Sequence, residues 1–333
     1  MVRSPASPPT PHPNPSEPPF PSDPPSPTLV PALGAPSTGA LLLLTAFAIL
    51  AFAGNSVLTR AALAEPVIGA EPFAAIRLLS GALTLTAIVA WRGGAVRPGR
   101  ADAIGITSLF AYAIAFSLAY RGLTTATGAL ILFALVQVTL VAASAATGRW
   151  PNRTEALGIA IALSGLAWLL APGVAAPPPG PALLMVVAGI AWGLYTWAGR
   201  GTGDALARTA RNFLGTLPLA AITMLAAIAL DPHALLGLGA TGKDDPGTHA
   251  IAVGGIALAV ASGAIASGLG YAAWYRVLPR LSATSAGLLQ LLVPVVAAFG
   301  GAVWLGEAPT LRLVLAALLI VAGIALGLLG GRR

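Results

Sequence analysis

From residue 39 onward the chain alternates long apolar runs with short polar breaks. Ten runs fall at 39–60, 72–91, 102–120, 123–147, 155–172, 181–199, 209–230, 251–275, 282–304 and 310–329. At about 1.5 Å of rise per residue, a helix of about 20 residues crosses a hydrocarbon core of roughly 30 Å, and these runs have that length. The pattern predicts an all-α membrane protein with ten transmembrane helices. The clearest pair is the last: Ser282–Trp304 and Thr310–Leu329, parted only by Leu305–Pro309, with the charged Glu307 two residues before Pro309. Run interiors are rich in Gly and Ala, the small residues that let helix backbones approach closely in lipid.

The same order of features occurs twice. Gly148 aligns with Gly306 and Gly165 with Gly323 at an offset of about 158 residues, and Tyr120-Arg121 then falls near Tyr275-Arg276. Upstream, Ala53-Gly54-Asn55 echoes Trp192-Gly193-Leu194, and Arg77-x3-Gly81 echoes Arg211-x3-Gly215. This order predicts an internal duplication, with five-helix repeats at 39–172 and 173–330. Because five is odd, the second repeat lies upside down relative to the first. Inverted repeats are a recurring architecture of alternating-access transporters, with the solute site near the midplane where the repeats meet.

Composition agrees. Hydrophobic residues make up 56 % of the 333 positions and charged residues 9 %, which excludes an ordinary soluble domain. The net charge of +7 is spread singly between apolar runs, so no basic stripe exists to hold nucleic acid, and the partners expected are lipid and a small-molecule substrate. With the N-terminus placed in the cytoplasm, 13 Lys and Arg fall in inside segments and 4 in outside segments; Arg77 alone lies within a span. Loop cations collect on the inner side, so both termini are expected to be cytoplasmic. The chain has no Cys, and His12, His233 and His249 all lie outside the runs, so no metal or other cofactor is expected. Residues 1–38 hold 14 of the 29 prolines and read as a disordered, partly polyproline II cytoplasmic tail. The longest loop, Asp231–Ala250, carries Asp231, His233, Asp244, Asp245 and His249, and reads as solvated rather than metal-binding.

A transporter needs a polar pocket inside an apolar bundle, so polar and ring-bearing residues within spans are the candidates. Helix 1 offers Asn55, with Ser56 beside it. Helix 4 offers Gln137, four residues after Phe133. Helix 6 offers Trp192 and Tyr195, three apart and so on one face. Helix 8 offers Ser267, Tyr271 and Trp274, again on one face, and helix 9 offers Gln290 and Pro294. An aromatic-lined cavity with a few amides suits an amphipathic solute. Two alternatives stand beside this: Tyr195 and Trp274, near helix ends, also suit an interfacial belt, and Pro294 either exposes carbonyls, hinges its helix, or only kinks it for packing. Arg77 is the sharpest single residue. It is either an electrostatic guide for a carboxylate-bearing solute, or a structural cation that pairs with Glu71 or Glu307 or snorkels to the interface.

The chain resembles a ten-helix member of the drug/metabolite transporter superfamily built from two EamA domains. The resemblance covers roughly residues 39–330. It rests on Gly270-Tyr271-x2-Trp274, Leu292-Val293-Pro294-Val295, Leu305-Gly306-Glu307 and Gly323 in the second half. Gly54-Asn55, Glu71-Pro72-Phe73-x3-Arg77 and Ala191-Trp192-Gly193 support it. The chain departs from the usual pattern at Gln137, where many relatives carry Pro, and at Gly148-Arg149, where Gly-Glu is common. The resemblance implies a multi-pass carrier of the bacterial inner membrane, many of which export amino acids or similar metabolites, and no enzyme. Small multidrug exporters use an in-span carboxylate for proton coupling. No Asp, Glu or His lies in the middle of any span here, which favours a neutral or zwitterionic metabolite over drug/proton antiport. The rival reading is a membrane scaffold or regulator that uses the Pro-rich tail as a binding arm.

Overall fold

A computed structural model describes residues 37–64, 68–148, 150–173, 176–199, 203–230, 246–280 and 289–330. The Pro-rich tail and the 231–245 loop lie outside the described residues. Among the described residues all regular structure is helical. The helices are α1 (Thr38–Leu63), α2 (Ala70–Trp91), α3 (Ala103–Ala119), α4 (Thr125–Ala146), α5 (Arg153–Leu170), α6 (Pro179–Ala198) and α7 (Ala205–Leu230). The eighth, α8, runs from Pro246–Ala261 through a π-helical stretch, Ser262–Leu269, into Gly270–Val277. Then come α9 (Leu292–Leu305) and α10 (Leu311–Gly330). Among the described residues nine spans are long and apolar enough to cross a membrane; α9 is apolar but shorter, and the first part of its run, 282–288, lies outside the described residues. The all-α, ten-helix expectation is met.

Local chemistry sets the helix ends. Asn152 and Glu155 form a reciprocal capping box at the start of α5, satisfying two amides that no helical carbonyl reaches. Gly306, at φ +65°, ends α9 in the left-handed conformation that glycine adopts without strain, and the Glu307 amide turns back to the Gly301 carbonyl at 3.1 Å. Pro294 has no N–H to give the Gln290 carbonyl, and the helix is interrupted at Leu291, just ahead of it.

The helix contacts have two-fold order. α1 packs on α8 and α9, as α6 packs on α3 and α4; α2 packs on α8, as α7 packs on α3; and α2–α7, α4–α9 and α5–α10 pair across the divide. Exchanging helices 1–5 with 6–10 maps this set onto itself, as two inverted five-helix repeats require. Two crossings bring backbones into direct contact. A Cβ on Gly323 of α10 would meet the Ala162 amide and the Gly158 carbonyl of α5 at 2.5 Å, and one on Gly263 of α8 would strike the Arg77 carbonyl and Ser80 hydroxyl of α2. Glycine at these points removes the obstacle to close packing in lipid. The outer surface is apolar, with Leu83, Leu225, Phe299 and Leu318 each more than 60 % exposed. Trp91 and Trp150 at one end, and Trp168 and Trp304 at the other, are exposed as interfacial rings are.

Candidate functional site

The middle of the bundle holds a cavity of about 470 Å³. Asn55, Gln137, Trp192, Tyr195, Tyr271, Trp274 and Gln290 all line it, so the structure brings together every substrate-site candidate read from the sequence. Tyr195 and Trp274 are buried at 5 % exposure, so neither ring is part of the interfacial belt. Pro294 is buried in α9 and does not line the cavity, although the Gln290 side chain preceding the helix break does.

The rings form a continuous wall. Phe116 meets Tyr112 at 5.1 Å between centroids, Tyr112 meets Trp192 at 4.7 Å, and Trp192 stacks on Tyr195 at 5.0 Å and on Tyr271 at 5.5 Å. Tyr271 in turn meets Phe52 at 5.6 Å, and Phe52 meets Trp274 at 5.9 Å. Offset and tilted ring pairs at such spacings add modest attraction beyond the area they bury, and they leave flat apolar faces toward the cavity. The wall draws on α1, α3, α6 and α8, that is, on both repeats.

Behind this wall lies a polar chain. Arg77 Nη2 donates to the Tyr112 hydroxyl at 3.0 Å, and Asn55 Nδ2 donates to the same oxygen at 3.2 Å. Asn55 Oδ1 accepts from the Ser262 hydroxyl at 2.6 Å. Ser262 stands at the head of the π-helical stretch, and Ser267 within it donates to the Ser262 carbonyl at 3.0 Å. Helices α1, α2, α3 and α8 are thus tied at one level. A π-helical insertion places its side chains out of phase with the helix before it, and such insertions gather at functional sites.

Arg77 departs from the structural role weighed for it. It is 2 % exposed, so it does not snorkel, and neither Glu71 nor Glu307 pairs with it. Its guanidinium lies 5.0 Å from the Tyr112 ring centroid and 5.1 Å from that of Phe116, while Nε and Nη1 are buried with no hydrogen-bond partner. Glu307 instead binds Arg60: Oε1 accepts from Arg60 Nε at 2.9 Å, and Oε2 accepts from the Thr125 amide at 2.7 Å, at the first turn of α4. Arg60 Nη1 also donates to the Tyr120 carbonyl at 2.9 Å. This cluster joins the ends of α1, α3 and α9 to the start of α4. It closes the bundle there, beyond the deep end of the cavity.

The cavity extends the other way. Its lining continues through Thr196 and Gly199 at the end of α6, Arg208 and Thr209 at the start of α7, Glu155 at the start of α5 and Leu328 at the end of α10. These positions flank the loops in which the sequence concentrates arginine. Sequence reasoning passed over Tyr112, Phe52 and Asn212. Tyr112 and Phe116 look like ordinary core rings at i and i+4, and only Arg77 behind them sets them apart. Asn212 is 4 % exposed and lines the cavity, and its Oδ1 has no partner.

Comparison with known proteins gives three findings. Residues 180–329, which cover α6 to α10, match the EamA-like transporter family. The uncharacterized protein PA1977 of Pseudomonas aeruginosa is 48 % identical over 285 residues, covering 86 % of this chain and 93 % of that one. A protein of known crystal structure, 22 % identical, superposes with a TM-score of 0.58 over 88 % of this chain and 99 % of its own length, a likeness of fold.

Proposed function

The chain belongs to the EamA-like transporter family of multi-pass membrane proteins, and from that premise we propose what it carries and how. It moves a small amphipathic metabolite, an amino acid or a solute of similar build, across the cell inner membrane by alternating access. The supporting observation is the ring-walled cavity to which Asn55, Gln137, Trp192, Tyr195, Tyr271, Trp274 and Gln290 all contribute; in our reading it is where two repeats, 39–172 and 173–330, meet. Flat rings take the apolar part of such a solute, and the amides orient its polar groups. The cavity reaches toward the Arg-rich end. With both termini cytoplasmic, that end faces the cytoplasm, and loading from there favours export.

Counterflow of radiolabelled amino acid in proteoliposomes tests the proposal. Flux is expected in the intact chain and its loss in Trp192→Ala and Tyr271→Ala. A panel of amino acids and amphipathic amines that gave no flux would refute it. Deleting residues 1–38 separates the carrier from a tail-based scaffold, since a carrier keeps its flux without the tail.

A further inference from the structure

The polar chain behind the ring wall has a direction, set by counting donors. The Tyr112 oxygen accepts from Arg77 Nη2 and from Asn55 Nδ2, which occupies its acceptor capacity. The hydroxyl proton must then be given away. Asn55 Oδ1 is already engaged by Ser262, and the Tyr112 side chain lines the cavity. The cation that polarises this phenol has no carboxylate partner among the described residues, and two of its buried nitrogens are unsatisfied. A buried charge without a counter-charge is costly in a low-dielectric interior, so the arrangement is at its most favourable when an anion lies near it.

We infer that Tyr112, backed by Arg77, forms an anion-recognising subsite of the cavity, and that the solute carries a carboxylate. The phenol makes the contact; Arg77 is the positioning residue that polarises it and supplies the counter-charge. Phe116 and Trp192, packed on either side of the Tyr112 ring, exclude water from the contact and strengthen it. The apolar body of the solute then lies along the stacked rings of Trp192 and Tyr271.

This inference rests on the transporter reading, and three probes of one skeleton separate the two. Purified full-length protein is titrated with 3-phenylpropionate, 3-phenylpropanamide and 3-phenylpropylamine, with thermal shift and tryptophan fluorescence as readouts. The carboxylate is expected to bind about tenfold more tightly than the amide, the scale of one charge-assisted hydrogen bond. Tyr112→Phe keeps the ring stack and is expected to erase that ratio. Arg77→Gln does the same, and Arg77→Lys restores part of it. Amide or amine binding as well as the carboxylate overturns the anion subsite and leaves the cavity standing as a solute site. Binding of none of the three overturns the cavity itself. A ratio unchanged in well-folded Tyr112→Phe removes the role assigned to the phenol.

Discussion

The two ends of the bundle differ: the cavity stops short of the Glu307 end and reaches the Arg-rich end. At the first of these a carboxylate, Glu307, joins Arg60 of α1 to the first amide of α4. At the Arg-rich end the cavity runs out between α5, α6, α7 and α10; there α5 and α10 are in backbone contact through Gly158 and Gly323, and the Arg211–Asp102 ion pair, at 3.1 Å, ties α7 to the start of α3. Charged side chains part and rejoin at modest cost. Helix backbones in direct contact do not. The difference suggests that one end is a latch and the α5–α10 pair a fixed strut against which the latch works. In a carrier that opens to each side in turn, the weak tie has to be the one that breaks.

The strut is tested most harshly by bulk. Gly323→Leu has no room for its side chain, because even a Cβ there meets backbone atoms at 2.5 Å. The variant is expected to lose monodispersity in size-exclusion chromatography, and Gly323→Ala to lose about 1–3 kcal/mol of stability by over-packing. If Gly323→Leu were as stable as the native chain, α5 and α10 would not be held as described.

The latch is expected to give a smaller, directional effect. The chain has no Cys, so Ser56→Cys places a sole thiol in the cavity lining. Glu307→Gln keeps the shape of the side chain and removes its charge, weakening both the ion pair and the α4 cap. Modification of Cys at position 56 by a membrane-impermeant thiol reagent, applied from the side that the Glu307 end faces, should speed up about tenfold, the equivalent of ~1.4 kcal/mol. An unchanged rate would mean that the Glu307 end is closed by packing alone.

What was legible in the sequence follows the reach of each interaction. Span length and apolarity are local, so all ten helices could be read, from the run at 39–60 (α1, Thr38–Leu63) to the run at 310–329 (α10, Leu311–Gly330). Candidate cavity residues were also legible, because an amide or ring on a polar face stands out in a lipid-spanning run. The partnerships were not. Arg60 and Glu307 are 247 positions apart and read as two unrelated loop-end charges, and the partner of Arg77 is a phenol 35 positions away rather than an acid. Tyr112 does not stand out in the sequence, because what distinguishes it is a cation on another helix. The π-helical turn at Ser262–Leu269 leaves no periodic trace in a run of Ala, Gly and Ser.

The smallest predicted effect asks whether the sign of the latch charge matters. At the offset that aligns Gly306 with Gly148, the residue standing where Glu307 stands is Arg149; at the separate offset that aligns Gly193 with Gly54, Arg200 falls one position past the counterpart of Arg60. The ion pair at the Arg-rich end is built from other residues: Arg211 Nε donates to Asp102 Oδ2 at 3.1 Å, tying the start of α7 to the start of α3, and neither residue lines the cavity mouth. Writing the missing acid back as Arg149→Glu should favour closure there. An exposed pair contributes only about 0.2–1 kcal/mol, so modification of Thr196→Cys from the Arg-rich side should slow by no more than about fivefold. Adding Arg200→Gln to Arg149→Glu should return the rate toward its original value, because that end then carries one cation fewer for the new carboxylate. Slowing that survived the second substitution would trace the asymmetry to the bulk or solvation of position 149, and the latch would then owe nothing to the sign of its charge.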